Sequence, residues 1–216
     1  MHGPIAPAPK PSPPLPPKPR PARRPRPAAD AASALRARRR LKLVTVGARA
    51  CGKSTLIRRF CEGKFVAKYI PTIGIDYGVH KTSSPCGTYR VVLDFFDMAA
   101  GPEFLDSRRD FYVNAQALLF VYDVGDKASL AALDAFWAEA GACGAKVVKA
   151  MVLCAAKVDG RRAVPEAEGR AWAAAHGGMD YVETSAATGA SVQELFEGII
   201  GSVVKRTTWK GEGVVK

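Results

Sequence analysis

Histidine and cysteine are too sparse and too scattered in this chain to organise a metal centre or a covalent framework. There are three histidines and five cysteines (Cys51, Cys61, Cys86, Cys143, Cys154) in 216 residues. No two cysteines form a C-x-x-C pair and their odd number leaves one over, which favours free thiols in a reducing compartment over a disulfide set or a zinc site. No apolar run approaches the ~18 residues that cross a bilayer, and the start of the chain lacks the apolar stretch of a secretory signal. An Arg-rich, acid-poor start suits an organelle transit peptide, but few serines and many prolines argue against one. With Met-His at its start, no myristoylation signal is expected. Gly-Glu-Gly-Val-Val-Lys216 offers no cysteine to prenylate, so no lipid anchor is expected.

Proline is scarce beyond residue 40, because twelve of the sixteen prolines lie in residues 1–40. That stretch also carries ten basic residues and one acid, Asp30, so it holds +9 of the formal +12 and leaves +3 for residues 41–216. The high isoelectric point therefore says little about the folded part, and no specific nucleic-acid partner is expected. A Pro/Arg/Ala segment so poor in large apolar residues cannot offset its ordering entropy, and it reads as a disordered arm with polyproline-II character. Pro13-Pro-Leu-Pro16-Pro-Lys18 has the spacing that SH3-type domains read, although any proline-rich tail produces such matches. Arg36-Ala-Arg-Arg-Arg40 suits contact with anionic lipid or nucleic acid, or equally a solvated tether. Residues 41–206 are expected to form one domain, with 207–216 as a short tail.

The most informative stretch is Gly47-Ala48-Arg49-Ala50-Cys51-Gly52-Lys53-Ser54-Thr55, which fits G-x-x-x-x-G-K-[ST]. Leu41 to Val46 precede it as a short β-branched strand, and Leu56-Ile-Arg-Arg-Phe60 continue as a helix. A strand, a glycine loop and a helix start make a nest of backbone N–H groups that faces an anion, with the helix dipole behind it. Lys53 then reaches outer phosphates, and the Ser54 hydroxyl can ligate magnesium. The competing reading is a chance glycine-rich turn.

Ile73, Ile75, Tyr77 and Val79 alternate with smaller or polar residues, which predicts a strand. Ser83 to Gly87 form a turn cluster, and Tyr89 to Phe96 read as the returning strand of a hairpin. Ala115 to Asp123 and Val147 to Ala155 are apolar runs of the kind found in buried parallel strands. Leu130, Leu133 and Trp137 share one helix face, with Asp126 or Ser129 as the cap. Pro165 suits the first turn of a helix running to about Gly177. Ser191-Val-Gln-Glu194 reads as a capping box, and Val192, Leu195, Phe196, Ile199, Ile200 and Val203 make a 3.6-period stripe. Strands alternating with helices predict a three-layer α/β domain.

With the phosphate loop in place, later segments resemble a small GTPase of the Ras superfamily, in order and in spacing. Pro71-Thr72-Ile-Gly74 is similar to switch I of the Rab branch, where the threonine closes over magnesium and the γ-phosphate. Asp97, in Phe95-Phe-Asp-Met-Ala-Ala-Gly-Pro-Glu103, resembles the aspartate that holds magnesium through water. Lys157 and Asp159 resemble the base-reading motif, and Thr184-Ser185-Ala186 the loop behind the guanine. The longer stretches FCEGKFVAKYIPTIGIDYGV, VYDVGDKASLAALDAFWAE and ETSAATG resemble a Rab-related subfamily whose animal members carry a DnaJ-type J domain after the GTPase. This chain is expected to be too short for that second domain, so chaperone recruitment is not carried over. The resemblance implies a P-loop NTPase G domain with a six-stranded, mostly parallel sheet flanked by helices. It also implies GTP/GDP and Mg²⁺ as cofactors, Ser54, Thr72 and Asp97 as metal-holding residues, and effector and exchange proteins as partners of the two switches.

Three positions depart from the family pattern. Ala156 stands where the base motif has asparagine, and a lost hydrogen bond there costs about 0.5–1.5 kcal/mol. Weaker guanine binding is therefore expected, with specificity retained by Asp159. Ala100 and Gly101 stand where the family has glycine and the water-orienting glutamine, so slow hydrolysis is expected, and no catalytic residue is assigned. Arg49 occupies a loop position that is usually small. It crowds the catalytic water, acts in cis like an arginine finger, or points to solvent. Cys51 reads as a small apolar filler, with redox sensitivity as the alternative. Phe104, Phe111 and Tyr112 either form an effector surface or pack beneath the switch. Trp137 and Trp172 read as packing residues.

The expected function is a Rab-like GTP-binding regulatory switch in signalling or trafficking, cytoplasmic or held to membranes by partners. A pseudo-GTPase scaffold is the alternative. A P-loop ATPase or small kinase fits less well, because Asp159 and the Ser185-Ala186 loop favour guanine.

Overall fold

The computed structural model describes residues 38–68, 70–144 and 148–207. The expected arm up to residue 37, its SH3-type motif, Val147 and the tail from 208 onward lie outside the described residues. Six strands form one sheet: β1 (Arg38–Val46), β2 (Ile75–Ser83), β3 (Arg90–Met98), β4 (Ala117–Asp123), β5 (Ala150–Ala156) and β6 (Asp180–Glu183). Their order is β2-β3-β1-β4-β5-β6, and all pairs are parallel except the β2–β3 hairpin. The helices are α1 (Lys53–Glu62), α2 (Leu105–Tyr112), α3 (Lys127–Ala131), α4 (Leu133–Ala142), α5 (Glu166–Ala175) and α6 (Val192–Arg206).

Strand periodicity sends alternate residues to opposite faces, and each face has its own core. Leu41, Leu43, Leu93, Phe95, Leu119 and Val121 pack under α1 and α6. Val44, Val46, Leu118, Phe120 and Tyr122 pack under α3, α4 and α5. The six apolar residues of the α6 stripe are all buried, as their spacing predicts. Each contributes about 1.5–3 kcal/mol by leaving water.

Several local expectations are corrected. β1 starts at Arg38, ahead of Leu41, because Arg40 is tied to β3 through a forked pair with Asp94 at 2.8 and 2.5 Å. β2 starts at Ile75, leaving Ile73 85% exposed. Tyr77 and Val79 lie on the open face of this edge strand, where the Tyr77 hydroxyl donates to Asp94 at 2.7 Å. The predicted capping box does not form: Ser191 has φ 53° and its side chain caps nothing. A backbone bond from Ser185 N–H to the Ala190 carbonyl closes the preceding loop and leads the chain into α6 without that side chain. Pro165 precedes α5 rather than joining its first turn, and α5 ends at Ala175. The single helix expected around Leu130 and Trp137 is two, with Asp126 capping α3 by accepting from Ala128 N–H.

Trp137 and Trp172 serve packing. Both lie against Phe120, and Trp172 stacks on His176 at 3.9 Å. Among the described residues no helix is long and apolar enough to cross a membrane.

From β1 the chain runs to β3 on one side and later to β4 on the other. The loops leaving the carboxyl ends of β1, β3, β5 and β6 therefore converge at this change of direction, where open α/β sheets bind ligands.

Candidate functional site

The loop after β1 needs glycine at both ends. Gly47 has φ 147°, and a Cβ there would collide with the Val121 carbonyl of β4. Gly52 has φ 108° and leads directly into α1. Ala50 also has a positive φ, 60°. Cys51 turns inward and is fully buried against the core. Burial pushes its thiol up, outweighing the nearby Lys53 ammonium, so it behaves as an apolar filler. Lys53 is buried, and its Nζ donates to the Gly47 and Ala48 carbonyls, both at 2.9 Å. The ammonium is thereby held over the loop, at the wall of a cavity of about 580 Å³.

Ser54, Thr72 and Asp97 come from three different segments and meet at one point. Ser54 Oγ donates to Asp97 Oδ2, and Thr72 Oγ1 lies 3.1 Å from Ser54 Oγ and 3.4 Å from Asp97 Oδ2. Asp97 is buried, and its second oxygen, Oδ1, has no hydrogen-bond partner. Burial raises its pKa above the ordinary carboxylate value, against the Ser54 hydrogen bond and the Lys53 charge, with Asp76 adding repulsion. Two hydroxyls and a carboxylate with one orphaned oxygen form a hard-oxygen donor set, which fits Mg²⁺ and does not fit zinc. Among the described residues no cluster of three His, Cys, Asp or Glu side chains offers a rival metal centre.

The β5 and β6 loops form the other end of the cavity. Lys157, at φ 63°, lies across the phosphate loop, donates to the Ala50 carbonyl at 2.8 Å and pairs with Asp123 at 2.7 Å. Asp159 and Ala186 line the cavity with it, as does Ala156, which is almost fully buried. Ser185 is buried behind them, its hydroxyl accepting from Thr188 N–H at 3.1 Å. Arg49, Ala50, Gly52, Thr55 and Ala100 also face the cavity. Gly47, Ala48, Cys51, Asp97, Gly101 and Ser185 are not among the residues that line it.

The segment after β3 holds what the sequence did not reveal. Arg108 on α2 is buried, pairs with Glu139 of α4 through two bonds of 2.8 and 2.7 Å, and donates to the carbonyls of Ala99 at 2.9 Å and Gly101 at 2.7 Å. The backbone after Asp97 is thus clamped from below. Tyr112 is core and Phe111 packs on Phe96, which supports packing for both. Arg49 extends to an exposed position at the cavity mouth, where its Nη2 lies 3.3 Å from Glu103 Oε1. No periodicity or motif predicts the Arg108–Glu139 pair, whereas Asp123 was visible as the acid closing the β4 run.

The sequence profile of the Ras family matches residues 42–205. Similar curated proteins include DnaJ homolog subfamily C member 27 of Homo sapiens, 43% identical over 170 residues. The protein of the same name is 41% identical over 170 residues in Gallus gallus and 41% over 169 in Danio rerio. Each match covers 76% of this chain and 61% of the relative, so it spans less than two thirds of these relatives' length.

Proposed function

This chain belongs to the Ras family of small GTPases, and from that premise we propose that it is a magnesium-dependent guanine-nucleotide switch with slow hydrolysis. The observation that carries the reading is the meeting of Ser54, Thr72 and Asp97 beside the Lys53 ammonium at the cavity wall. Lys53 and the N–H groups of residues 48–54 would hold the phosphates. Ser54, Thr72 and Asp97 would hold Mg²⁺, which when bound neutralises phosphate charge. Asp159 would accept from the guanine N–H groups, with Lys157 alongside and Ala186 behind the base. Thr72 lies in a loop whose Phe65, Ile70 and Ile73 are exposed, so ordering that loop around the nucleotide would change the surface that partners read. Effector and exchange proteins would meet this surface and the α2 region, in signalling or trafficking.

A pseudo-GTPase scaffold is the second reading. It is favoured by Ala156, which carries no polar group toward the base, and by Gly101, which has no side chain to orient water. Titration with fluorescent GTP, with and without Mg²⁺ and with GTP, GDP and ATP as competitors, separates the two. Submicromolar, magnesium-dependent binding displaced by GTP and GDP but not by ATP is expected. No binding at tens of micromolar would leave the scaffold.

A further inference from the structure

Gly101 lacks the side chain that orients water elsewhere in the family, yet the place of that side chain is filled. A Cβ built on Gly101 would overlap the carboxyl group of Glu103, both oxygens and Cδ included. Gly101 has an ordinary extended backbone, φ −63° and ψ 143°, so no turn demands glycine here. What glycine provides is room for the Glu103 carboxylate. That carboxylate lines the same cavity as Lys53, Ser54 and Thr72, and it faces Arg49 of the phosphate loop at 3.3 Å.

Both partners are more than half exposed, at 65% and 53%. Such a pair contributes little to stability, so folding does not explain its position across the cavity. The segment that carries it is nevertheless held firmly. Phe104 N–H donates to the Gly101 carbonyl at 3.1 Å, closing a 3₁₀ turn over Pro102–Phe104, and Arg108 grips the same carbonyl at 2.7 Å.

We propose that Glu103, anchored by Arg49, takes over the water-orienting role that Gly101 cannot perform. The inference rests on the reading of this cavity as a GTP site. A carboxylate accepts hydrogen bonds at both oxygens, so Glu103 can accept one from Arg49 and one from the attacking water. Arg49 offsets the negative charge that Glu103 brings toward the γ-phosphate. The water oxygen forms a bond to the γ-phosphorus while the bond from that phosphorus to the β–γ bridging oxygen breaks. The electron pair leaves on GDP, and the water's proton ends on the released phosphate. Glu103 positions the water and keeps no proton.

The test measures GTP affinity and single-turnover hydrolysis on the full chain with Mg²⁺, for wild type, Glu103→Ala, Glu103→Gln and Arg49→Ala. Glu103→Ala should bind GTP within about threefold of wild type and lose at least about tenfold in hydrolysis rate. Glu103→Gln keeps an acceptor oxygen and should recover most of that rate, while Arg49→Ala should fall between. Glu103→Ala turning over at the wild-type rate overturns the role, and so does a parallel loss of affinity and rate. Wild type that binds GTP without measurable turnover overturns it too, leaving the switch reading intact. Wild type that binds no GTP overturns the switch reading and the Glu103 role together.

Discussion

The Arg108–Glu139 pair gives the sharpest quantitative test of how the segment after Asp97 is held. Their side chains are 4% and 8% exposed, and the fork is bidentate at 2.8 and 2.7 Å. Replacing Glu139 by alanine leaves a guanidinium in the interior with its charge uncompensated. Breaking a buried pair in this way costs about 3–5 kcal/mol, against about 0–1 kcal/mol for an exposed one. For a domain of this size 1 kcal/mol moves the midpoint by roughly 2–4 °C, so Glu139→Ala should melt about 6–20 °C below wild type. The double variant Arg108→Met/Glu139→Leu removes both charges, and it should recover part of the loss. Recovery should be incomplete, because the Ala99 and Gly101 carbonyls also lose the donor they share. Thermal melts of nucleotide-free protein, checked by urea titration, provide the measurement. A loss below about 1 kcal/mol for Glu139→Ala, or a double variant no more stable than it, would refute the clamp.

Gly47→Ala should abolish nucleotide binding and cost about 3 kcal/mol or more, since its Cβ meets the Val121 backbone carbonyl, which cannot rotate away. A soluble variant with wild-type melting and GTP affinity would contradict this. For Asp94, burial opposes ionisation, but hydrogen bonds from Arg40 and Tyr77 outweigh it and hold the carboxyl below the usual carboxylate range. Its stabilisation is therefore present above the unfolded pKa and lost as pH falls through the lower folded value. The Tm difference between wild type and Asp94→Asn should be largest near neutral pH and close in acid; a difference independent of pH would count against it. Hydrogen bonds to Ser84 and Thr88 lower the exposed Cys86 thiol to about 7, so iodoacetamide should modify Cys86 first, with half its plateau rate near that pH. Buried Cys154, pushed up to about 12, should react only on unfolding, and Ser84→Ala should move the Cys86 profile upward.

Much of the site was legible because its chemistry is local. The loop from Gly47 to Thr55 needs its glycines, lysine and hydroxyl at consecutive positions, and the α6 stripe needs only a repeat of 3.6 residues. Thr72 and Asp97 were legible by resemblance to family motifs, and the structure brings both to Ser54. The capping box at Ser191 misled because its letters are also local, yet a backbone bond across the loop set the conformation first. Arg40 looked like the end of a tether, since nothing near it in the chain reveals Asp94, 54 residues on.

By itself, the sequence determined the α/β class, the phosphate loop with Lys53 and Ser54, and the absence of side-chain chemistry at Ala156 and Gly101. Each is set by residue identity or short-range spacing, which folding does not alter. Tertiary structure alone decided that Glu103 fills the space beside Gly101, that Arg49 faces it, and that Arg108 reaches Glu139 to clamp the switch backbone. Those contacts join residues two to 54 positions apart, and whether charged side chains meet across such separations depends on the packing of the elements that carry them.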